Sequence, residues 1–528
     1  MANQTLFKSY RGSRLPRTDA ANEAGGAAYR LADKSALAQL AATGCLNGTF
    51  YATGDEQLGT VLNLCERIDP TFIARTALFA RKNAKMKDLP ALLCAVLAVK
   101  GPGLLAEIFD RVIDTPKMLR NFVQIVRSGA TGRKSLGTLP KRLVVQWLAR
   151  RSDEQLFVGS IGNAPSLADI IKMVHPKPAT ATREALFGYL LGKNYDSAQL
   201  PGLVREYEAY KKSDDRENIA TPDVPFRLLT GLRLGKAQWS AIARHASWQT
   251  TRMNLNTFLR HGVFEDPDVT GIVANRLRDR DLIAKAGVLP YQLMIAYHCV
   301  SAQAPGEVRE ALQDAMETAT SLVPKINGKV YVFPDISGSM HSPITGVRYG
   351  ASTKVRCVDV AALFAAAILR ANPTAEVIPF EKDAIPPENV GLNPRDTVMT
   401  NAQKLASLPC GGTNCSAPLA YLNERCATGD LIVYVSDNES WIDTPIYGRF
   451  GGGPTATMKE WARFKSRSPQ ARMVCIDIQP YPTTQAQERD DMINVGGFSD
   501  SVFELIGTVA RGEASAGYCV RQIEEISL

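Results

Sequence analysis

The chain is short of the residues that most often mark catalysis or export. It has five histidines in 528 residues and no H-E-x-x-H, so a zinc enzyme is not expected. Its ten cysteines, at 45, 65, 94, 299, 357, 410, 415, 426, 475 and 519, form no C-x-x-C pair and mostly stand in apolar runs such as ALLCAVLAV and RMVCIDI. They read as small core residues of a reducing compartment. No 18 uncharged apolar residues run together, and the first 26 residues carry positive charge without an apolar core. Neither a membrane span nor export is expected, and the reading is a cytoplasmic protein. There is no G-x-S-x-G elbow, and RFGGGPTAT at 449–457 lacks the G-K-[ST] ending of a phosphate loop, so it reads as a connection.

Charge is present but unevenly spread. The first 325 residues hold 43 Lys+Arg against 31 Asp+Glu, and the remainder 18 against 22. A chain of this length exceeds one hydrophobic core, and the imbalance divides it into a basic part suited to a polyanion and a mildly acidic part. The expected domains are a polar segment 1–26, a helical domain 27–325 and an α/β domain 326–528.

From about Ala27 to Val323 the pattern is helix after helix. In EQLGTVLNLCERI the apolar residues Leu58, Val61, Leu62, Cys65 and Ile68 share one helical face. Asp69-Pro70 then supplies an N-cap and a first-turn proline for TFIARTALFARKN. KDLPALLCAVLAVKGPG repeats the pattern, and further helices are read at about 103–113, 117–127, 139–150, 153–159, 166–174, 181–191 and on to 306–322. Short antiparallel helices without strands argue for an α-solenoid of the HEAT kind, with a structural rather than residue-level repeat. After about Ile326, β-branched runs (KVYVF, AEVIPF, DLIVYVSD, ARMVCIDI) alternate with helical stretches. That alternation specifies a doubly wound parallel sheet covered on both faces.

Three of these strand ends carry oxygen ligands. KVYVFPDISGSM ends in Asp335, Ser337 and Ser339, whose alternate spacing in an extended loop turns the three side chains to one side, with Gly338 relieving crowding. PCGGTNCS supplies Thr413, and YVSDNES supplies Asp437. Ligands of such sheets bind beyond the carboxyl ends of the strands. Two carboxylates and three hydroxyls suit Mg²⁺ or Mn²⁺ in a hard-oxygen site. Ser337 or Ser339 as a nucleophile would need a base, and the nearby His341 is poorly placed for it.

The helical part is basic in three clusters. ARKNAKMKD holds Arg81, Lys82, Lys85 and Lys87. RSGATGRKSLGTLPKRLVVQWLARR holds Arg127, Arg133, Lys134, Lys141 and Arg142 between loop glycines that let backbone amides approach phosphate. GNAPSLADIIKMVHPKP begins with a Ser166/Asp169 capping pair and collects Lys172, His175 and Lys177 at its end. His175, between Val174 and Pro176, fits a packing histidine as well as an RNA contact. A curved helical repeat with inward loops would admit a single strand and exclude a duplex.

Together, SGATGRKSLGTLPKRLVVQWL, ADIIKMVHPKP and a domain carrying DISGSM, CGGTNCS and VSDNES resemble the Ro autoantigen family, most closely its bacterial members. The D-x-S-x-S, Thr, Asp pattern is similar to the metal-ion-dependent adhesion site of von Willebrand factor A domains. That resemblance implies a ring-shaped HEAT-like α-solenoid, the TROVE module, closed by a von Willebrand factor A domain. It further implies a non-catalytic, monomeric RNA-binding protein that holds small noncoding Y RNA outside the ring and single-stranded 3′ ends of misfolded or precursor RNA within it, in RNA quality control and stress response with an exoribonuclease. His175 in HPKP and Gly132-Arg133 match family contacts. Val158 and Gly162 depart from the basic residues that animal members carry there, which implies a shifted or reduced Y RNA footprint. The competing expectation is a metal-dependent scaffold whose A domain recruits acidic partners.

Overall fold

The computed structural model describes residues 15–44, 46–213, 219–229, 231–232, 234–286, 290–321, 323–347, 355–443, 453–497 and 500–528. The chain divides into two compact units, Met1–Leu64 with Thr320–Gln522 and Cys65–Ala319 with Ile523–Leu528. The boundary expected near 325 lies close to the division at Thr320. The expected division at 26/27 does not hold, because residues 27–64 pack with the α/β unit rather than with the helices that follow.

The reason lies in a short hairpin that the sequence did not announce. Strands β1 (Ala20–Ala21) and β2 (Ala27–Arg30) pair antiparallel, and β2 pairs in turn with β7 (Thr483–Thr484). Tyr29 of β2 is buried within the aromatic core of the α/β unit. Its hydroxyl donates to the Pro16 carbonyl at 2.9 Å and accepts from the Thr455 amide at 3.3 Å. The helix Asp33–Thr43 then packs on β8 (Met492–Gly496). Gly496 permits this, since a Cβ there would stand 2.6 Å from the Gln39 carbonyl oxygen.

The α/β unit is built on a five-stranded parallel sheet in the order β4-β3-β5-β6-β8. Its other strands are β3 (Val330–Pro334), β4 (Glu376–Val377), β5 (Leu431–Ser436) and β6 (Arg472–Asp477). Every residue of β3, β5 and β8 is buried, as a sheet covered on both faces requires. One face carries Tyr331, Phe333, Ile432, Tyr434, Met473 and Cys475 against Leu419, Leu422, Met458, Trp461 and Phe464. The helices Cys357–Ala371 and Asp500–Ala510 also pack on the sheet, against β3 and β6 respectively. Strand order reverses between β3 and β5, so the crevice above their carboxyl ends is the switch point of the sheet.

The other unit is a succession of packed helices. Asp69 caps Pro70–Lys82 through the Phe72 amide at 2.8 Å, and Thr115 caps Pro116–Ser128 through the Met118 amide at 3.3 Å. Ser166 and Asp169 form the reciprocal capping box expected for Leu167–Val174. Asp88–Lys100, buried nearly all round, packs on Pro70–Lys82, Pro102–Val112 and Pro116–Ser128, and Pro70–Lys82 packs on Pro102–Val112 as well, the contiguous burial that stacked helices share. No helix among the described residues is long and apolar enough to cross a membrane.

Candidate cation site and basic surface

The three strand-end loops of the α/β unit meet at the switch point. Asp335 continues β3, its amide bonded to the Val435 carbonyl at 2.9 Å. Its Oδ1 accepts from the Ser337 amide at 2.8 Å and its Oδ2 from the Ser436 hydroxyl at 2.5 Å. The Ser337 and Ser339 hydroxyls stand 3.3 Å apart, and Ser339 is near enough to the Asp437 carboxylate to lower its pKa against the rise from burial. The loop carrying Thr413 is tied to both others, by Gly338 N to Gly411 O at 2.8 Å and by the Trp441 and Ile442 amides to Thr413 O at 3.1 and 3.2 Å. All five expected ligands are buried.

Glycine acts in this loop cluster at positions other than the expected one. Gly338 has an ordinary φ of −59°, and a Cβ on it would only touch the Gly411 carbonyl at 3.4 Å. Gly412 is the tighter position, since a Cβ there would collide with Ile442 Cδ1 and stand 3.0 Å from the Trp441 ring, whereas at Gly411 only the carboxylate end of Glu381 would have to move. The Gly-Gly turn lets the Thr413 loop close on its neighbours.

Burial pushes the Asp335 carboxyl up to about 7, with the Asp437 charge adding to the shift. Burial raises Asp437 as well. Next to them Glu439 and Asp477 are pushed far above the carboxylate range, first by burial and then by Asp437. Among the described residues no group stands within ordinary hydrogen-bond geometry of Glu439 Oε1 or of either Asp477 carboxylate oxygen, although Asn438 and the Gln479 amide lie near enough to Asp477 to lower its pKa against the rise from burial. Buried acids gathered this closely need positive charge, or must stay protonated. The donor set of two carboxylates and three hydroxyls fits a hard divalent cation. Among the described residues no three His, Cys, Asp or Glu side chains converge as metal ligands, so hydroxyls would have to complete the donor set around the two aspartates. His341 Nδ1 lies 2.9 Å from Arg356 Nη1, and its pKa is lowered by burial and then by that guanidinium. It therefore faces an arginine rather than either serine.

Asp477 ends β6 as Asp335 follows β3 and Asp437 follows β5, so the strand-end rule applied to ARMVCIDI would have found it. The N-terminal contacts gave no such signal. Ala24 N bonds Glu439 Oε2 at 3.1 Å, and Asn22 Nδ2 bonds Ser440 O at 2.7 Å.

In the helical unit the expected basic residues separate into two kinds. Arg127, Lys134, Lys141 and Arg142 line one cavity of about 730 Å³ with Gly137, Gln146 and Met173. All four are exposed and have no acidic partner among the described residues. Lys172, His175 and Lys177 are exposed as well. His175 adopts a left-handed φ of 50° at the end of Leu167–Val174, which removes it from the packed interior.

Arg81 and Arg133 serve the scaffold. Arg81 holds Asp114 with Nη2 at 2.7 Å and Nε at 3.0 Å, and donates to the Met86 carbonyl at 3.3 Å. Arg133 donates to the Ala98 carbonyl at 2.8 Å and lies beneath the Gly137 turn. Lys82 reaches the same Asp114 at 3.2 Å, while Lys85 is exposed in a left-handed turn with φ 58°. Lys87 is exposed as a residue, yet the surroundings of its ammonium lower its pKa by desolvation and then by the charges of Lys117 and Arg81. A second cavity of about 400 Å³ joins Lys117, Arg120 and Arg151 to Val158, Gly159 and Ile161. Arg120 donates to the Gly159 and Ile161 carbonyls from another helix, so positive charge reaches the Val158 region from a direction its own helix does not reveal.

Residues 329–510 match the family model described as the Ro60 vWA domain. Along 95% of its length the chain is 25% identical to the RNA-binding protein RO60 of Deinococcus radiodurans, covering 97% of that protein. The crystal structure of the Deinococcus radiodurans RO (RSR) protein matches 92% of this chain and 100% of its own, at 20% identity and a TM-score of 0.60; at that identity the match bears on fold alone. With a match to the Ro60 A domain at its carboxyl side and similarity to a bacterial Ro protein along 95% of its length, the chain is similar to the Ro autoantigen family.

Proposed function

We propose that this protein is a non-catalytic RNA-binding protein of RNA quality control. In this reading it holds small noncoding Y RNA and, separately, single-stranded 3′ ends of misfolded or immature RNA, and works beside an exoribonuclease in the cytoplasm. The observation that carries it is the cavity of about 730 Å³ ringed by Arg127, Lys134, Lys141 and Arg142, four cations with no acidic partner among the described residues. Cations left uncompensated around a concavity attract phosphates, and phosphate contacts supply most of a nucleic-acid affinity. The name of the Deinococcus relative, an RNA-binding protein, supports the same class. Arg81 and Arg133 take no direct part here, since each is already bonded to the scaffold.

The test is to crosslink the protein to RNA in cells, sequence the attached RNA and map the crosslinked peptides. Small structured RNAs and 3′-extended fragments are expected on peptides within 127–151 and 162–178. Absence of enriched RNA, or peptides confined to 326–528, overturns the reading.

A second reading concerns the α/β unit, where Asp335, Ser337, Ser339, Thr413 and Asp437 would hold Mg²⁺ or Mn²⁺. Such an ion supplies a Lewis-acidic position for an acidic partner protein. The gathered, uncompensated carboxylates favour it. The residues of the chain do the positioning: Ser436 fixes the Asp335 carboxylate, and the Gly411-Gly412 turn brings the Thr413 loop into place.

A further inference from the structure

A turn from the N-terminal segment lies beside the loop that follows Ser339. Asn47 Nδ2 bonds the Thr345 carbonyl at 2.7 Å, and Gly48 exchanges backbone hydrogen bonds with Val347 at 3.3 and 2.6 Å. Thr49 closes the turn on Ala52 at 2.7 Å and accepts from the Tyr481 hydroxyl at 2.8 Å. At its far end the Thr53/Glu56 pair caps the helix Gly54–Arg67, with Thr53 N to Glu56 Oε2 at 2.8 Å and Glu56 N to Thr53 Oγ1 at 3.2 Å. Both ends of the turn are therefore anchored.

What the turn presents is Tyr51. Its ring packs edge-on between Phe50, centroids 4.8 Å apart, and Tyr481 at 6.1 Å. Its hydroxyl lies near Ser339 and within the electrostatic reach of Asp437, Glu439 and Asp335. Phe50, 56% exposed, faces outward. The hairpin that precedes the turn holds the third ligand loop from the same side, through Ala24 to Glu439 and Asn22 to Ser440. A neutral phenol oxygen is a weak hard-cation donor beside a carboxylate, so an acidic group would compete for the same place once the turn moved away.

We propose that Tyr51 is the built-in occupant of the outward face of this cation site, and that the turn at 47–53 keeps the site closed to carboxylate-bearing partners until it is displaced. The proposal rests on the cation-site reading given above. It assigns the N-terminal segment a gating role that neither the ligand pattern nor the basic clusters require.

The experiment uses the full chain with Mn²⁺ as the ion and acetate as the carboxylate probe, read by the water-proton relaxation enhancement of bound Mn²⁺. Wild type is compared with Tyr51→Ala, Tyr51→Phe and Asp335→Ala. Wild type is expected to retain Mn²⁺ with low enhancement and little response to acetate. A site open only a tenth of the time binds its ligand about tenfold more weakly than one always open, so Tyr51→Ala should raise the enhancement and tighten acetate binding at least about tenfold. Tyr51→Phe keeps the ring and the fold of the turn; it should raise the enhancement, as water replaces the phenol oxygen, while acetate stays excluded. Equal acetate affinity in wild type and Tyr51→Ala overturns the gate and leaves the cation site standing. Failure of wild type to retain more Mn²⁺ than Asp335→Ala removes the cation site, and the gate with it.

Discussion

Asp335 and Asp437 are two acids placed where water cannot screen them. Each is buried, they face one another, and the serine hydroxyls beside them hold them together rather than neutralise them. The sign of the consequence follows from the shift. With the Asp335 carboxyl at about 7 in the fold and about 4 in an unfolded chain, the folded state binds the proton more tightly between those values. Stability without divalent cation therefore falls as pH rises through that window. A cation that favours the ionised pair offsets the loss, so the rise in melting temperature on adding Mg²⁺ should be small at pH 5 and larger at pH 8. Asp335→Asn should flatten both the pH trend and the Mg²⁺ response. Melting curves at the two pH values with and without Mg²⁺ decide it, and an equal Mg²⁺ gain at both would contradict the charge argument.

At the scale of elements, the N-terminal hairpin is the piece whose importance exceeds its size. Tyr29 joins the α/β core, and its hydroxyl ties the Pro16 carbonyl to the Thr455 amide. Tyr29→Ala should cost about 3 kcal/mol, as loss of a large buried ring does, and Tyr29→Phe about 1 kcal/mol for the lost hydrogen bonds. Denaturant unfolding of both variants measures this; equal and small costs would mean that the hairpin is only draped on the sheet. Nothing in MANQTLFKSYRGSRLPRTDAANEAGGAAYR marks these residues as strand, because two-residue β1 is too short for alternation and β2 reads AAYR. The helices between residues 65 and 319 were legible because their caps are local: Asp69, Ser166 and Asp169 bond amides within three residues. Strands β3, β5 and β6 were legible as apolar runs, whereas β8, MINVG, follows its partner too closely for a crossover to be read. The helix Arg280–Ala286 was missed for a similar reason, since only Asp279 separates it from Pro267–Arg278. The meeting of the Asp335, Thr413 and Asp437 loops was legible because strand ends in a parallel sheet converge by topology. Tyr51 was not, because its approach depends on tertiary contacts made far along the chain.

For the molecule as a whole, the uneven charge of the chain sets how any polyanion would be held. The excess of Lys+Arg lies before residue 326 and the slight excess of Asp+Glu after it, so attraction to a polyanion belongs to the helical part and should fall with salt. If Arg127, Lys134, Lys141 and Arg142 each neutralise one phosphate of a single strand, log K against log salt should have a slope of about −3 from these four alone. Lys141→Glu with Arg142→Glu should weaken binding to single-stranded RNA strongly and flatten the slope by about 1.4. Arg81→Ala is the informative contrast. Arg81 is only 14% exposed and pairs with Asp114, so its loss should cost about 2 kcal/mol of stability and leave the slope unchanged. Asp335→Ala should likewise leave the slope alone, because its carboxylate lies in the other unit and is buried. Fluorescence anisotropy on a labelled oligoribonucleotide from 50 to 300 mM salt separates these cases. A slope that is insensitive to Lys141 and Arg142 but altered by Arg81 would mean that phosphates are held at the helix connection near Asp114, and the cavity would lose its claim to the RNA.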